Sequence, residues 1–200
     1  MNATSRRPAP SRKEATHDRI VESAARAIRR SGYGGTGLAE IMKEAGLTHG
    51  GFYAHFESKD ELVAAAIGQM FDQARARFQS EVKDYPPAKA LGAYIDFYLS
   101  PAHRDARATG CPMPVLAADL PRLDRAARAR FSAGVAALTQ AIAERIAQLG
   151  LPEAQSLARS VVAEAVGALS LARAEPDLEL SNAMLADSRA LVKKRLGLKE

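Results

Sequence analysis

The stretch LTHGGFYAHFESKDEL, Leu47 to Leu62, decides the reading of this chain. It sets two histidines, a tyrosine, a lysine and a pair of adjacent glycines among apolar residues. A catalytic site, a metal site and a DNA-reading helix each use part of that combination, so the flanking segments must discriminate. Upstream, Leu38, Ile41, Met42 and Ala45 form one apolar face of a helix of about two turns, which Gly46 stops. Thr48 is placed to cap a third short helix whose Phe52 and Phe56 point to the same side. Downstream, Ser58 and Glu61 have the spacing of a capping box and open a much longer helix. Two short helices joined through a glycine, apolar on their facing sides, describe a helix-turn-helix whose second helix enters the DNA major groove. Gly50 and Gly51 cost about 1 kcal/mol each in helix propensity and permit close backbone approach.

Working outward, Ser11 and Glu14 predict another capping box. The apolar stripe Ile20, Val21, Ala24, Ala25 and Ile28 follows, and Gly32 ends that helix. Helical periodicity continues almost to the end, without period-2 alternation, which makes the chain all-α. Beyond residue 58 the expected helices run about 59 to 82, 87 to 99, 113 to 119, 124 to 149, 153 to 174 and 178 to 196, with a loop at SPAHRDARATG. Prolines 86, 101, 112, 121, 152 and 176 punctuate their ends. The expected organisation is a disordered basic arm at 1–10, a helix-turn-helix domain at 11–57 and a larger helical domain at 58–200.

Of the 200 residues, 47% are apolar and 26% charged, as in ordinary folded proteins. The net charge of +5 favours a polyanionic partner, and much of the excess falls on Arg6, Arg7, Arg12 and Lys13. No segment has the apolar run of a secretory signal or the roughly 18 apolar residues of a membrane span, so a cytoplasmic location is expected and no membrane partner. Cys111 is the only cysteine, which excludes an intrachain disulfide and a multi-cysteine zinc site. His49 and His55 fall on different faces of a helix with no carboxylate to complete a metal site, so neither metal nor cofactor is expected.

Gly32, the segment GTGLAEIMKEAGLT, Gly50, FYAHF and SKDEL together make residues 12 to 65, approximately, resemble the TetR family of one-component transcriptional regulators. That resemblance implies a three-helix N-terminal DNA-binding domain, a larger helical ligand-binding and dimerisation domain, and an effector-controlled grip on double-stranded operator DNA. It places Thr48, His49, Gly50 and Gly51 against base edges and nearby phosphates, and Tyr53, His55 and Lys59 on the DNA backbone. Gly37 stands where the family commonly has serine or threonine, so Thr36 is expected to cap the second helix and joins the DNA-facing set. Met42 replaces a usually smaller alanine.

The expected protein is therefore a repressor, not an enzyme. One short recognition helix reads too few base pairs for genomic specificity, so a homodimer on a roughly palindromic operator is expected. Its contact is expected on the last two helices, from Val161, Val162, Ala165, Val166 and Leu169 to Ala183, Met184, Leu191 and Val192. A small apolar effector that releases the operator is expected among Met70, Phe71, Phe78, Tyr94, Phe97, Tyr98, Met113 and Leu116. An alternative makes Cys111 an electrophile or oxidant sensor, its thiolate favoured by the following helix and by Arg104 and Arg107. An alternative of another class, a helical hydrolase built on Cys111 with His103 or His17, has no motif behind it beyond residue type.

Overall fold

The computed structural model describes residues 11–198, and the basic arm expected at 1–10 lies outside the described residues. Helix α1 (Arg12–Ser31) opens with the expected capping box: Glu14 N–H donates to Ser11 Oγ at 3.2 Å and Ser11 N–H to the Glu14 carboxylate at 2.7 Å. Its stripe from Ile20 to Ile28 is buried, and Gly32 ends it at φ 72°. Helix α2 (Leu38–Glu44) closes in a Schellman arrangement, with Leu47 N–H on Met42 O at 2.9 Å and Gly46 N–H on Lys43 O at 3.0 Å. Gly46 takes the left-handed φ of 70° that this turn requires.

Helix α3 (Lys59–Val82) follows, capped by Ser58 Oγ, which accepts from Glu61 N–H at 3.1 Å. The Glu61 carboxylate takes the amide of Glu57 rather than that of Ser58, so the return bond of the box is displaced by one residue. Then come α4 (Pro87–Tyr98), α5 (Pro101–Asp105), α6 (Met113–Leu116), α7 (Arg125–Ala147), α8 (Ala154–Ala174) and α9 (Leu178–Arg195). The segment expected as a loop near residue 105 contains α5, started by Ser100 Oγ accepting from His103 N–H at 3.1 Å, and a 3-10 turn at Arg107–Thr109. Among the described residues there is no strand, and no helix is long and apolar enough to cross a membrane.

Helix α3 is the spine of the molecule, packed against α1 on the N-terminal side and α4 and α7 beyond. Helices α7, α8 and α9 then stack in sequence, and α4 closes against α7 and α9. The α3–α7 crossing is so close that a Cβ at Gly134 would fall inside the Phe71 ring. Phe71 instead lies on bare α7 backbone, with the edge of Phe131 against it at 5.4 Å. Gly134→Ala is therefore expected to force the ring off its rotamer and cost about 1–3 kcal/mol in urea denaturation. Unchanged stability would mean that α3 and α7 can separate freely.

Candidate nucleic-acid interface and effector chamber

The segment after the turn is not the α-helix that the sequence predicts but a 3-10 helix, His49–Ala54. Two glycines in succession favour neither conformation strongly, and the Thr48 side chain makes no capping bond. The amphipathicity survives. Phe52 and Phe56 are buried and stacked at 5.6 Å, and His17 of α1 covers Phe56 at 4.6 Å. Opposite them, Thr48, His49, Gly50 and Tyr53 face outward, Tyr53 being 68% exposed. A Cβ at Gly50 would meet nothing within 4 Å, whereas one at Gly51 would touch Met42 and Thr48 at ordinary distances. Gly51 and His55 are half-buried, and Nδ1 of His55 is buried without a hydrogen-bond partner.

Two expected DNA contacts are placed differently. Thr36 does not cap α2, which begins from Gly37 without a side-chain bond. The threonine is buried because its hydroxyl donates back to Gly32 O at 2.7 Å, which removes it from any DNA-facing surface. Lys59 is not a free surface ammonium: Nζ donates to Thr36 O at 2.9 Å and sits 4.7 Å over the Tyr33 ring. It ties the start of α3 to the turn before α2. Glu44 ties α2 to α1 through Arg30 at 2.6 Å and Arg26 at 2.9 Å. The bond from Arg30, followed by that from Arg26, holds the Glu44 carboxyl below its ordinary range. The recognition segment is thus presented by a unit fixed at both neighbouring helices.

The expected effector residues divide. Met70, Phe71, Phe78 and Leu116 are buried and border neither of the two cavities beside α4. Tyr94, Tyr98 and Met113, with Val161, Val162, Ala165, Val166 and Val192, surround an apolar void of about 20 Å³, little more than a single water needs. Tyr94, Phe97 and Tyr98 also face a second cavity of about 190 Å³, completed by residues that periodicity did not single out: Glu22 and Arg29 of α1, Gln73 and Arg77 of α3, and the 103–111 segment. One signal was available in Arg29, which stands four residues after Ala25 on the buried stripe of α1, where an arginine needs a reason.

His103 fastens the far wall of this chamber. Cys111 N–H donates to Nε2 at 3.1 Å, so Nδ1 carries the proton and donates to Tyr98 O at 2.8 Å. Arg173 holds the same segment by donating to the carbonyls of His103 and Arg104, and passes so near Gly110 that a Cβ there would lie 2.9 Å from its guanidinium.

The grounds for a reactive thiol are overturned here. Cys111 is buried, and desolvation raises its pKa. Helix α6 has only four residues. Arg104 is committed to Asp105, Ser181 and Asn182, and Arg107 to Arg173 O.

The expected dimer residues also divide. Val161, Leu169 and Val192 are buried in the protomer, where α8 and α9 pack on the core, so they are not contact residues. Val162, Ala165, Val166 and Met184 are half-buried; Ala183 and Leu191 are exposed.

An exposed segment on a helix-turn-helix, joined to further helices that border a partly open cavity, fits a DNA-binding transcriptional regulator. The profile described as "Bacterial regulatory proteins, tetR family" matches residues 20–66, and "Transcriptional regulator LmrA/YxaF-like, C-terminal domain" matches 87–183. The chain belongs to the TetR family of transcriptional regulators. It is 28% identical over 170 residues to an HTH-type regulator from the lacX 3' region of Lactococcus lactis subsp. lactis, covering 82% of this chain and 87% of that one. With the HTH-type transcriptional regulator LmrA of Bacillus subtilis (strain 168) it shares 25% over 153 residues, 76% and 81% of the two chains. A TetR regulator from Chloroflexus aurantiacus J-10-FL superposes with a TM-score of 0.79 at 26% identity over 92% of this chain and 96% of that one. Reduced NemR of E. coli shares the fold, at 20% identity and a TM-score of 0.79 over 90% and 96%.

Burial lowers the His103 pKa from 6.5 to about 4, because the imidazolium cannot be hydrated there. A folded value below the unfolded one gives stability that is whole above pH 6.5 and is lost as pH falls toward 4. Wild type is expected to lose about 2 kcal/mol between roughly pH 7 and 5 from this group, measured by urea melts. His103→Gln, less stable at neutral pH, should show a flatter profile; parallel profiles would remove His103 from the account.

Proposed function

We propose that this regulator is a repressor which grips a roughly palindromic operator as a homodimer and lets go when a small molecule fills the chamber beside α4. The observation that supports release most directly is that α1, the first helix of the DNA-binding unit, forms one wall of that chamber through Glu22 and Arg29. A ligand there meets both domains at once. Its differential affinity for an altered α1 position is what lowers operator affinity. The site of action is the cytoplasm, where operator DNA is found. The test is a gel-shift screen on operators selected from a random DNA library, with each candidate compound added to the complex. No compound releasing the operator, at any concentration short of unfolding, would overturn ligand-controlled repression.

For the reading surface, His49 contacts base edges and Tyr53 the sugar-phosphate backbone. His49→Ala should change preference at one or two operator positions, each by about 1–3 kcal/mol. Tyr53→Phe, which removes only an exposed hydroxyl, should weaken all sequences alike. Identical effects of both variants across the library would reverse or erase these roles.

The dimer face is the outer side of α8 and α9. Among the described residues, four of the six exposed large apolar side chains, Leu171, Leu178, Leu180 and Leu191, lie on these helices. Leu191→Glu places a charge on that face without touching the protomer core, so sedimentation should show folded monomers with weakened operator binding. A dimer of undiminished affinity would move the contact elsewhere.

A further inference from the structure

The chamber has an unbalanced polar lining. Its carboxylate, Glu22, accepts from Gln69, from Gln73 Nε2 at 2.9 Å and from Arg26 at 3.4 Å. Both nitrogens of His103 are spent on Tyr98 O and Cys111 N–H. Two buried donors are left over. Arg29 is 3% exposed and gives Nη1 to Gln73 Oε1 at 2.9 Å and Nη2 to Met70 O at 3.2 Å, while its Nε has no partner. The Tyr98 hydroxyl, in a side chain 5% exposed, adjoins only the weakly bonding Cys111 thiol and has no nitrogen or oxygen acceptor. Buried donors without acceptors cost roughly 1–3 kcal/mol each, and native structures leave few of them.

Charge points the same way. The Arg29 guanidinium rests on neutral acceptors, with no carboxylate within ion-pair distance among the described residues. A buried cation of this kind is stabilised by an anion. Arg77 adds a second positive charge at the rim, its guanidinium 5.3 Å above the Phe97 ring. Between these cations the walls are aromatic: Tyr94 lies 6.4 Å from Phe97 and 5.9 Å from Tyr98. Such walls suit a flat ring system.

We propose that the chamber binds an aromatic carboxylate, or a molecule presenting the same oxyanion on a flat ring, with the ring set among Tyr94, Phe97 and Tyr98 and the anionic oxygen drawn to Arg29 and Tyr98, whose Nε and Oη are closed off from the cavity in the free protein and turn onto the oxygen as the ligand enters. This deepens the ligand-release reading and rests on it for biological effect, but it concerns the site itself and is tested separately. The effector is thus not simply apolar: its head is charged and lies on the DNA-binding domain's own helix.

The probes are 1-naphthoate and its neutral isostere 1-naphthamide, titrated calorimetrically into the full-length protein. The acid is expected to bind one site per chain at least tenfold more tightly than the amide. Tyr98→Phe removes a hydroxyl whose neighbour in the free protein is no stronger acceptor than the Cys111 thiol, so its melting temperature should stay level or rise. The same change should weaken naphthoate by about tenfold and narrow its advantage over the amide. Arg77→Gln, on the exposed rim, should reduce the acid's advantage without altering the melting temperature. Equal affinity for acid and amide, absence of saturable naphthoate binding, or unchanged affinity in Tyr98→Phe would each overturn the site. Naphthoate that binds as described but leaves operator affinity unchanged supports the site and counts against ligand release. Operator release by other compounds, with no naphthoate binding, does the reverse.

Discussion

Helix α3 has little surface to give to water over its first four turns, where Leu62, Val63, Ala64, Ala66, Ile67, Met70 and Phe71 are all buried. A helix apolar on so many sides has to be enclosed, and the enclosure dictates the rest of the molecule. α1 covers one side and α7 another, the latter at a separation that only Gly134 allows. Because the N-terminus of α3 also carries Ser58 and Lys59, the same helix that organises the C-terminal helices holds the turn before α2. The helix-turn-helix and the helices beyond it therefore share one element, and a rearrangement that tilts α3 or α1 would move the segment at His49–Ala54.

The enclosure leaves polar groups inside, and they are arranged as connections between elements. Arg29 crosses from α1 to α3, His103 joins α5 to α4 and to Cys111, and Tyr33 N–H reaches Asp119 beyond α6 at 3.2 Å. Each bond satisfies a group that would otherwise cost free energy, and each also fixes a distance between two helices. Arg29 is the least settled of them. Burial lowers its pKa, the opposing influence of Glu22 acts from beyond ion-pair distance, and one of its donors stays unused. A connection that is incompletely satisfied in the free protein is the one a ligand can take over at least expense.

Much of the helical layout was legible because it rests on local rules. The Ser11–Glu14 box, the stops at Gly32 and Gly46 and the bounds of α3 follow from capping chemistry and periodicity within a few residues. The outward face of the recognition segment was legible for the same reason: Phe52 and Phe56 claim the inside, leaving His49 and Tyr53 outside. What periodicity could not resolve was the partner of each apolar face. Val161, Leu169 and Val192 look the same in sequence whether they meet a second copy or their own core, and only the packing of α8 and α9 assigns them to the core. Thr36 was misread because its hydroxyl competes for Gly32 O, a turn-level choice that spacing does not reveal. The chamber was half visible: its aromatic residues lie on one helix, but its charged wall comes from α1, more than sixty positions away in the chain.

That sequence separation is also the physical basis of the control proposed for the chamber. A cavity wholly within one domain can fill without consequence for the other, since a ligand shifts an equilibrium only by its differential affinity for the two states. Here part of the binding surface is α1 itself, so a displacement of α1 alters the positions of Arg29 and Glu22 relative to Tyr94 and Tyr98. Under the proposed ligand control, ligand affinity and operator affinity depend on the same coordinate. Thermodynamic linkage would make that dependence reciprocal: any factor a ligand removed from operator binding, operator DNA would remove from ligand binding. The pairing of Glu44 with Arg26 and Arg30 sharpens the effect, because it makes α2 follow α1 rather than absorb its motion.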